Sequence, residues 1–195
     1  MTTATYTVQD FVRDAQRIAD RGDSGDQQIT QIAGPLERLI QRKDCLLDLP
    51  DCDDADPEQG FIIHRSDNLT VSAVVWQPDS RAPIHNHNGW AMEGVISGVE
   101  FNRNYQRVDD GLTPWRAELE ELEPSLVPAG TTTYLREPPA DIHAVEINQG
   151  KTLAIHVYGL DLLRQWRYRF NLETGEVEPF GMRTRRQLAS AQGAK

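Results

Sequence analysis

Hydrophobic residues near the start of the chain recur at the spacing of an amphipathic α-helix. Between residues 8 and 19, the apolar positions that share one helical face are Val8, Phe11, Val12, Ala15, Ile18 and Ala19. Residues 26–43 repeat the pattern with Ile29, Ile32, Leu36, Leu39 and Ile40. The sequence therefore predicts two helices. Gly34-Pro35 lies inside the second, and because proline lacks a donor and clashes with the preceding turn, we expect a kink or a restart there.

After Gly60 the pattern changes to short β-rich runs separated by turn residues. The predicted strands cover residues 61–65, 69–77, 91–97, 99–107, 115–122, 131–135, 142–148, 152–158 and 166–171. Many short strands at this spacing are typical of an antiparallel sandwich or barrel, with the helices covering an outer face or one end. The acidic segment 48–58 is typical of a solvated connector, and the tail from Met182 is expected to fray.

The chain has 195 residues, 38% of them hydrophobic, which fits one globular domain with a substantial core. We expect a single domain over residues 1–195, with the helices in 1–45, the β core in 60–180 and a tail in 181–195. The formal net charge of −10 disfavours nucleic acid and anionic membranes as partners, because both are negatively charged.

No apolar run is long enough to cross a bilayer, and the N-terminal residues lack the basic and apolar parts of a secretory signal. We therefore expect a cytoplasmic protein. Cys45 and Cys52 have no Cys or His neighbours at zinc-site spacing, so we interpret both as structurally incidental.

Three of the five histidines form a candidate metal site. His85 and His87 occur in Pro-Ile-His-Asn-His-Asn-Gly-Trp, and in an extended segment residues i and i+2 point to the same side. On its own this spacing is equally consistent with two ordinary histidines. His143, in the alternating segment Asp-Ile-His-Ala-Val-Glu, offers a third imidazole that could face the same cavity. His64 has no such context, and we interpret it as an ordinary polar residue.

These residues resemble the two motifs of the cupin superfamily. Its first motif carries His-x-His, an acid and then a glycine, which match His85, His87, Glu93 and Gly98, and its second carries one histidine, which matches His143. Glu93 follows His87 at slightly more than the usual distance. The resemblance implies a mainly β cupin double-stranded β-helix, an antiparallel barrel or sandwich, with two N-terminal α-helices.

A closer resemblance is to the thiol dioxygenases of the cysteine dioxygenase family, above all the bacterial 3-mercaptopropionate dioxygenase branch. The matching features lie within residues 76–180: Trp76, Trp90, the segment Ile155-His156-Val157-Tyr158-Gly159, the segment Asn171-Leu172-Glu173-Thr174-Gly175-Glu176 and Pro179-Phe180. The resemblance implies Fe(II) held by His85, His87 and His143 without a carboxylate. It also implies a small mercapto-carboxylic acid, such as 3-mercaptopropionate or cysteine, that O2 converts to its sulfinate.

The same resemblance assigns roles to three further residues. His156 and Tyr158 share a strand face, so His156 can orient the Tyr158 hydroxyl in a catalytic relay. Arg167 stands at the offset from His156 where the branch places its carboxylate-binding arginine. Its neighbours Arg164 and Arg169 are alternatives if the register differs, and the family's other branch places its substrate arginine near Arg65.

Two positions depart from the family pattern. The family relay begins with serine, whereas this chain has Ala154. The position of the cysteine that forms a Cys–Tyr crosslink in animal cysteine dioxygenases matches Met92, so no crosslink is expected there.

Two other functions remain open from the residues. One is a cupin metalloenzyme that acts on a non-thiol substrate, with His85, His87, Glu93 and His143 around iron, manganese or nickel. The other is a non-enzymatic zinc-binding cupin module that senses or regulates, with the N-terminal helices as a partner surface.

Overall fold

The computed structural model describes residues 5–42, 44–45 and 61–180. The segment 48–58, Cys52 and the tail from Met182 lie outside the described residues. The helices are α1 (Val8–Ala19) and α2 (Gly25–Ile40), and Leu162–Arg164 form a short 3-10 helix. The strands are β1 (Phe61–Arg65), β2 (Thr70–Trp76), β3 (Arg81–Asn86), β4 (Ala91–Ser97), β5 (Val99–Arg107), β6 (Leu119–Glu121), β7 (Ser125–Pro128), β8 (Thr132–Leu135), β9 (Ile142–Glu146), β10 (Thr152–Tyr158), β11 (Arg167–Phe170) and β12 (Val177–Phe180).

The two helices form where the apolar pattern predicts them. Thr7 caps the N-terminus of α1: its hydroxyl accepts a hydrogen bond from the Asp10 N–H, and the Asp10 carboxylate accepts one from the Thr7 N–H. α2 is a single helix with Pro35 inside it, so the restart expected at Gly34-Pro35 does not occur. The apolar face of α2 includes Leu36, which is fully buried against the sheet, and this packing compensates for the missing donor.

The strands form two antiparallel sheets. One has the order β1-β2-β10-β4-β8, and the other has the order β12-β11-β3-β9-β5-β6, with β7 also paired to β5. The central parts of the two sheets are β2-β10-β4-β8 and β3-β9-β5-β7. The chain changes sheet after each of these strands except between β5 and β7, which is the double Greek-key order of a jelly roll. The fold is therefore the predicted mainly β cupin sandwich with two N-terminal helices.

Alternation along the strands decides which side chains face the space between the sheets. On β10, Ile155 and Val157 pack with the helices, so Ala154, His156 and Tyr158 face the interior. The helices cover the outer face of the five-stranded sheet. They lie close at Gly94, where a Cβ would approach side-chain atoms of Leu36 and Ile40 to 3.0 Å. The inner face carries polar residues such as His156 together with apolar ones such as Val95 and Ala154.

Three strands escaped prediction, and one predicted strand is much shorter. β3, β7 and β12 were not expected, and of residues 115–122 only Leu119–Glu121 are extended in a strand. β3 contains Pro83, which cannot donate to a neighbouring strand, and the pairing of β3 with β9 shifts between Ala82 and His85 to accommodate it. Among the described residues, no helix is long and apolar enough to span a membrane.

Candidate metal centre

The structure gathers the three predicted histidines in the interior. His85 on β3 is the direct cross-strand partner of His143 on β9, and His87 follows one residue after β3 ends. The centre of the His85 ring lies 4.8 Å from the centre of the His87 ring and 4.8 Å from that of the His143 ring. The centres of the His87 and His143 rings are 5.1 Å apart. All three side chains are buried, and one ligand atom of each lies within 4.8 Å of the others.

A turn after β3 positions His87 beside His85 and His143. The backbone N–H groups of His87 and Asn88 donate to Oδ2 of Asp141, at 3.2 and 2.7 Å. Asn88 has a φ of 59°, a left-handed conformation that asparagine tolerates better than most residues. The Asp141 carboxylate, two residues before His143, thus ties the first histidine segment to the second.

The ring nitrogens are arranged as metal binding requires. Nδ1 of His85 lies 2.8 Å from the Pro83 carbonyl oxygen, and Nδ1 of His143 lies 2.9 Å from Asn102 Oδ1, so both rings donate there and leave Nε2 free. The Nε2 atoms of His87 and His143 are 3.1 Å apart. Two nitrogens about 2.1 Å from one metal and at right angles to it would be separated by about 3.0 Å. The Nε2 atoms of His87 and His143 are thus spaced like two ligands of one metal ion, and His85 offers a third ligand atom within 4.8 Å of both residues' ligand atoms.

The electrostatics keep these rings neutral, which a metal ligand must be. Burial lowers the pKa of His85 to about 3, with the nearby Arg167 charge acting in the same direction. Burial, together with the charges of neighbouring histidines and Arg167, also lowers the pKa of His87 and of His143 well below the ordinary value.

Arg167 lies beside the histidines and is buried without a counterion. Its side chain is 6% exposed, its Nε has no hydrogen-bond partner, and within the described residues no carboxylate is at ion-pair distance. Its guanidinium carbon lies 5.0 Å from the centre of the Phe180 ring, which is itself 4.9 Å from the His85 ring. Burial lowers the pKa of Arg167. A buried unpaired guanidinium offers a site for an anion.

The other candidate arginines are engaged in ion pairs nearer the surface. The pairs are Arg65–Asp161, Arg164–Asp67 and Arg169–Glu178. The side chains of these arginines are between 41% and 67% exposed, unlike that of Arg167. Of the four arginines, Arg167 is therefore the one whose buried side chain lies next to the three histidines.

The His156 and Tyr158 side chains form the expected contact. Nδ1 of His156 is 3.2 Å from the Tyr158 hydroxyl, and the Tyr158 ring centre lies 5.1 Å from that of His87. Burial raises the pKa of Tyr158, so its hydroxyl keeps its proton, although nearby Arg167 acts in the opposite direction. Ser72, which faces His156 on the neighbouring strand, also places its hydroxyl beside Tyr158. Sequence analysis missed Ser72.

Glu93 also points into the interior, but away from the free nitrogens. Its Oε1 lies 3.6 Å from Nδ1 of His143, on the side of the ring opposite Nε2, and its Oε2 accepts a hydrogen bond from Asn102 at 3.1 Å. Burial raises the pKa of Glu93, and the neighbouring His156 opposes that shift. Glu93 is thus outside the ligand group that the three histidines form.

The remaining candidates lie away from the centre. Met92 faces the helices and is buried in their core, so it does not meet Tyr158. Cys45 is buried in the same helical core. Nε2 of His64 lies 2.7 Å from the Gln16 side chain on α1, consistent with an ordinary polar role.

No protein-family model matches the chain. Among solved structures, the DMSP lyase DddQ from Ruegeria pomeroyi aligns with 52% of this chain and 43% of its own, at 17% identity and a TM-score of 0.38. Hydroquinone 1,2-dioxygenase PnpCD in complex with Cd2+ and 4-hydroxybenzonitrile aligns over 55% of this chain and 67% of its own, at 10% identity and a TM-score of 0.43. A Ralstonia eutropha protein of unknown function with a cupin-like fold aligns over 61% of each chain, at 18% identity and a TM-score of 0.39. The chain thus spans less than half the length of the lyase.

Proposed function

We propose that the protein is an Fe(II)-dependent thiol dioxygenase that converts a small mercapto-carboxylic acid and O2 into the corresponding sulfinate. The observation that carries this proposal is a buried group of three neutral histidines, without a carboxylate ligand, beside Arg167, which has no acidic partner among the described residues. A metal held by the histidines would bind the thiol end of such a substrate, and Arg167 would bind its carboxylate end.

The ligand set supports a site for an anionic sulfur. Three neutral imidazoles leave the full dipositive charge of a bound metal, which favours a thiolate over a neutral thiol. Bound iron would supply neighbouring open positions for the thiolate and for O2. Both oxygen atoms of O2 go to the sulfur, so the reaction needs no external reductant.

The protein's own groups then have separate tasks. Arg167 can hold the substrate carboxylate through two parallel hydrogen bonds, which orients a small flexible molecule. The Tyr158 hydroxyl, contacted by His156, is a proton donor on a ring that lies beside that of His87. Because the histidines are no more than 5% exposed, water is kept from the reacting sulfur.

Oxygen uptake by the iron-loaded protein tests the proposal most directly. We expect uptake with carboxylated thiols such as 3-mercaptopropionate, cysteine or mercaptosuccinate, with about one sulfinate formed per O2 consumed. The same panel should include cysteamine, which has no carboxylate. A protein that binds iron but consumes no oxygen with any thiol would instead favour the cupin enzyme with another substrate or the zinc-binding module.

Replacing Glu93 by Gln distinguishes the three-histidine site from a cupin site with a carboxylate ligand. We expect Glu93→Gln to retain iron after desalting, because the carboxylate faces Nδ1 of His143 rather than Nε2. Iron content measured by atomic emission decides the matter. Loss of iron from a folded Glu93→Gln protein would mean that the carboxylate is a ligand.

Removing the Tyr158 hydroxyl should slow turnover and leave the metal in place. Tyr158→Phe deletes one positioned donor without changing the ring, so we expect oxygen uptake to fall by roughly tenfold to a thousandfold at unchanged iron content. Tyr105→Phe is the matched control. Tyr105 is also buried, but it packs with Ile142 and Ala144, on the face of the seven-stranded sheet opposite His143. Equal rates for the two variants would assign Tyr158 to the core alone.

A further inference from the structure

Beside the three-histidine site lies a second buried group of potential ligands. It consists of Glu93 on β4, Glu100 on β5 and His156 on β10. One ligand atom of each lies within 4.8 Å of the other two, and the residues are at most 4% exposed. Since they come from both sheets, they meet in the space between them.

Glu100 is the member that calls for explanation. It is fully buried, and neither oxygen of its carboxylate has a hydrogen-bond partner. Nε2 of His156 also has none, and it lies 3.8 Å from Oε1 of Glu100, too far for a hydrogen bond. Buried polar atoms without a partner are rare in proteins, so three of them on two neighbouring side chains point to a missing ligand.

The charges around this group indicate the sign of that ligand. Within the described residues, the ion-pair contacts of Glu93 and Glu100 are with histidines only, and no lysine or arginine lies at that distance from either. The Asn102 amide donates to one oxygen of Glu93. Two charged carboxylates in a protein interior are strongly disfavoured unless a cation or a proton compensates them.

We propose that Glu93, Glu100 and His156 bind a second divalent cation, distinct from the metal of His85, His87 and His143. Two carboxylates would balance its charge, and a neutral His156 would contribute Nε2. Two carboxylates with a single imidazole suit a divalent cation such as Mn2+. The Nδ1 atom of His156 stays available for its contact with Tyr158.

The connection between β4 and β5 brings the two carboxylates together. The chain passes from one sheet to the other through Gly98, whose φ is 83°. A Cβ at this position would lie 2.7 Å from the Lys151 carbonyl oxygen, so the close approach requires glycine. Asn102 contacts both Glu93 and His143, and it therefore joins the two sites through a single side-chain amide.

Equilibrium dialysis of the metal-free protein against excess Mn2+, with the bound metal counted by atomic emission, tests the proposal. We expect the Glu100→Gln protein to bind about one Mn2+ per chain fewer than the wild type. Glu121→Gln is the matched control, because Glu121 lies on the same sheet in a half-exposed pair with Arg103, and its Mn2+ content should equal that of the wild type.

The His85→Ala background separates this site from the proposed dioxygenase site. His85→Ala should retain about one Mn2+, and the double variant His85→Ala/Glu100→Gln should retain none. The proposal would be overturned if the wild type and a folded Glu100→Gln protein bound the same amount of Mn2+, or if His85→Ala bound no Mn2+. A proton shared between Glu93 and Glu100 would then be the occupant of the site. If Glu100→Gln does not fold, Glu93→Gln gives the same comparison. The outcome is independent of whether any thiol is oxidised.

Discussion

The His143→Ala protein is expected to lose iron on desalting and, with it, all thiol-dependent oxygen uptake. In the wild type, Nε2 of His143 lies 3.1 Å from Nε2 of His87. The substitution therefore removes one of three proposed ligands from a site that has no carboxylate to replace it. Substituting residues that merely orient a metal ligand already lowers affinity about 10–100-fold. Loss of the ligand itself should exceed that range. His85→Ala and His87→Ala are expected to behave alike.

Iron content is to be measured in chains whose fold has been checked by circular dichroism. His64→Ala is the control, because His64 contacts Gln16 on α1 and lies outside the ligand group. It should keep about one iron per chain, as a mononuclear site allows. Stoichiometric iron in the folded His143→Ala protein would rule out the three-histidine site.

The placement of the histidines and of Tyr158 along the chain could be predicted in part, because it depends on local periodicity. Alternation placed His156 and Tyr158 on one face of β10, and spacing suggested that His85 and His87 would project together. The strand that carries His85 was nevertheless missed, since Pro83 interrupts its β pattern. His87 reaches the site through a turn held by Asp141, which no short-range pattern reveals.

The residues around the three histidines and Tyr158 could not be predicted, because they meet only through strand pairing. Asn102 contacts His143 because β5 lies next to β9, and Ser72 reaches Tyr158 because β2 lies next to β10. Glu100 is separated from Glu93 by a crossing from one sheet to the other. In the sequence each of these is an ordinary polar residue in a strand, without a motif that marks it.

The Arg167→Ala protein is expected to lose affinity for thiols that carry a carboxylate, and much less for thiols that do not. The guanidinium is 6% exposed and has no acidic partner among the described residues, so a substrate carboxylate would complete a buried charged pair. Losing one partner of such a pair costs about 2–5 kcal/mol. That corresponds to a rise in KM of roughly 30-fold to several thousandfold. Arg167→Lys should recover little of this, since lysine lacks the planar pair of donors.

The comparison that decides this prediction uses two thiols and two variants. KM for 3-mercaptopropionate should rise strongly in Arg167→Ala, whereas oxygen uptake with cysteamine, which has no carboxylate, should change much less. Arg164→Ala is the matched control, because Arg164 is 67% exposed and pairs with Asp67 at the surface. A rise in KM for both thiols alike in Arg167→Ala, or a selective loss in Arg164→Ala, would remove Arg167 from the substrate site. Retained iron in each variant ensures that the difference reports on substrate binding rather than on the metal.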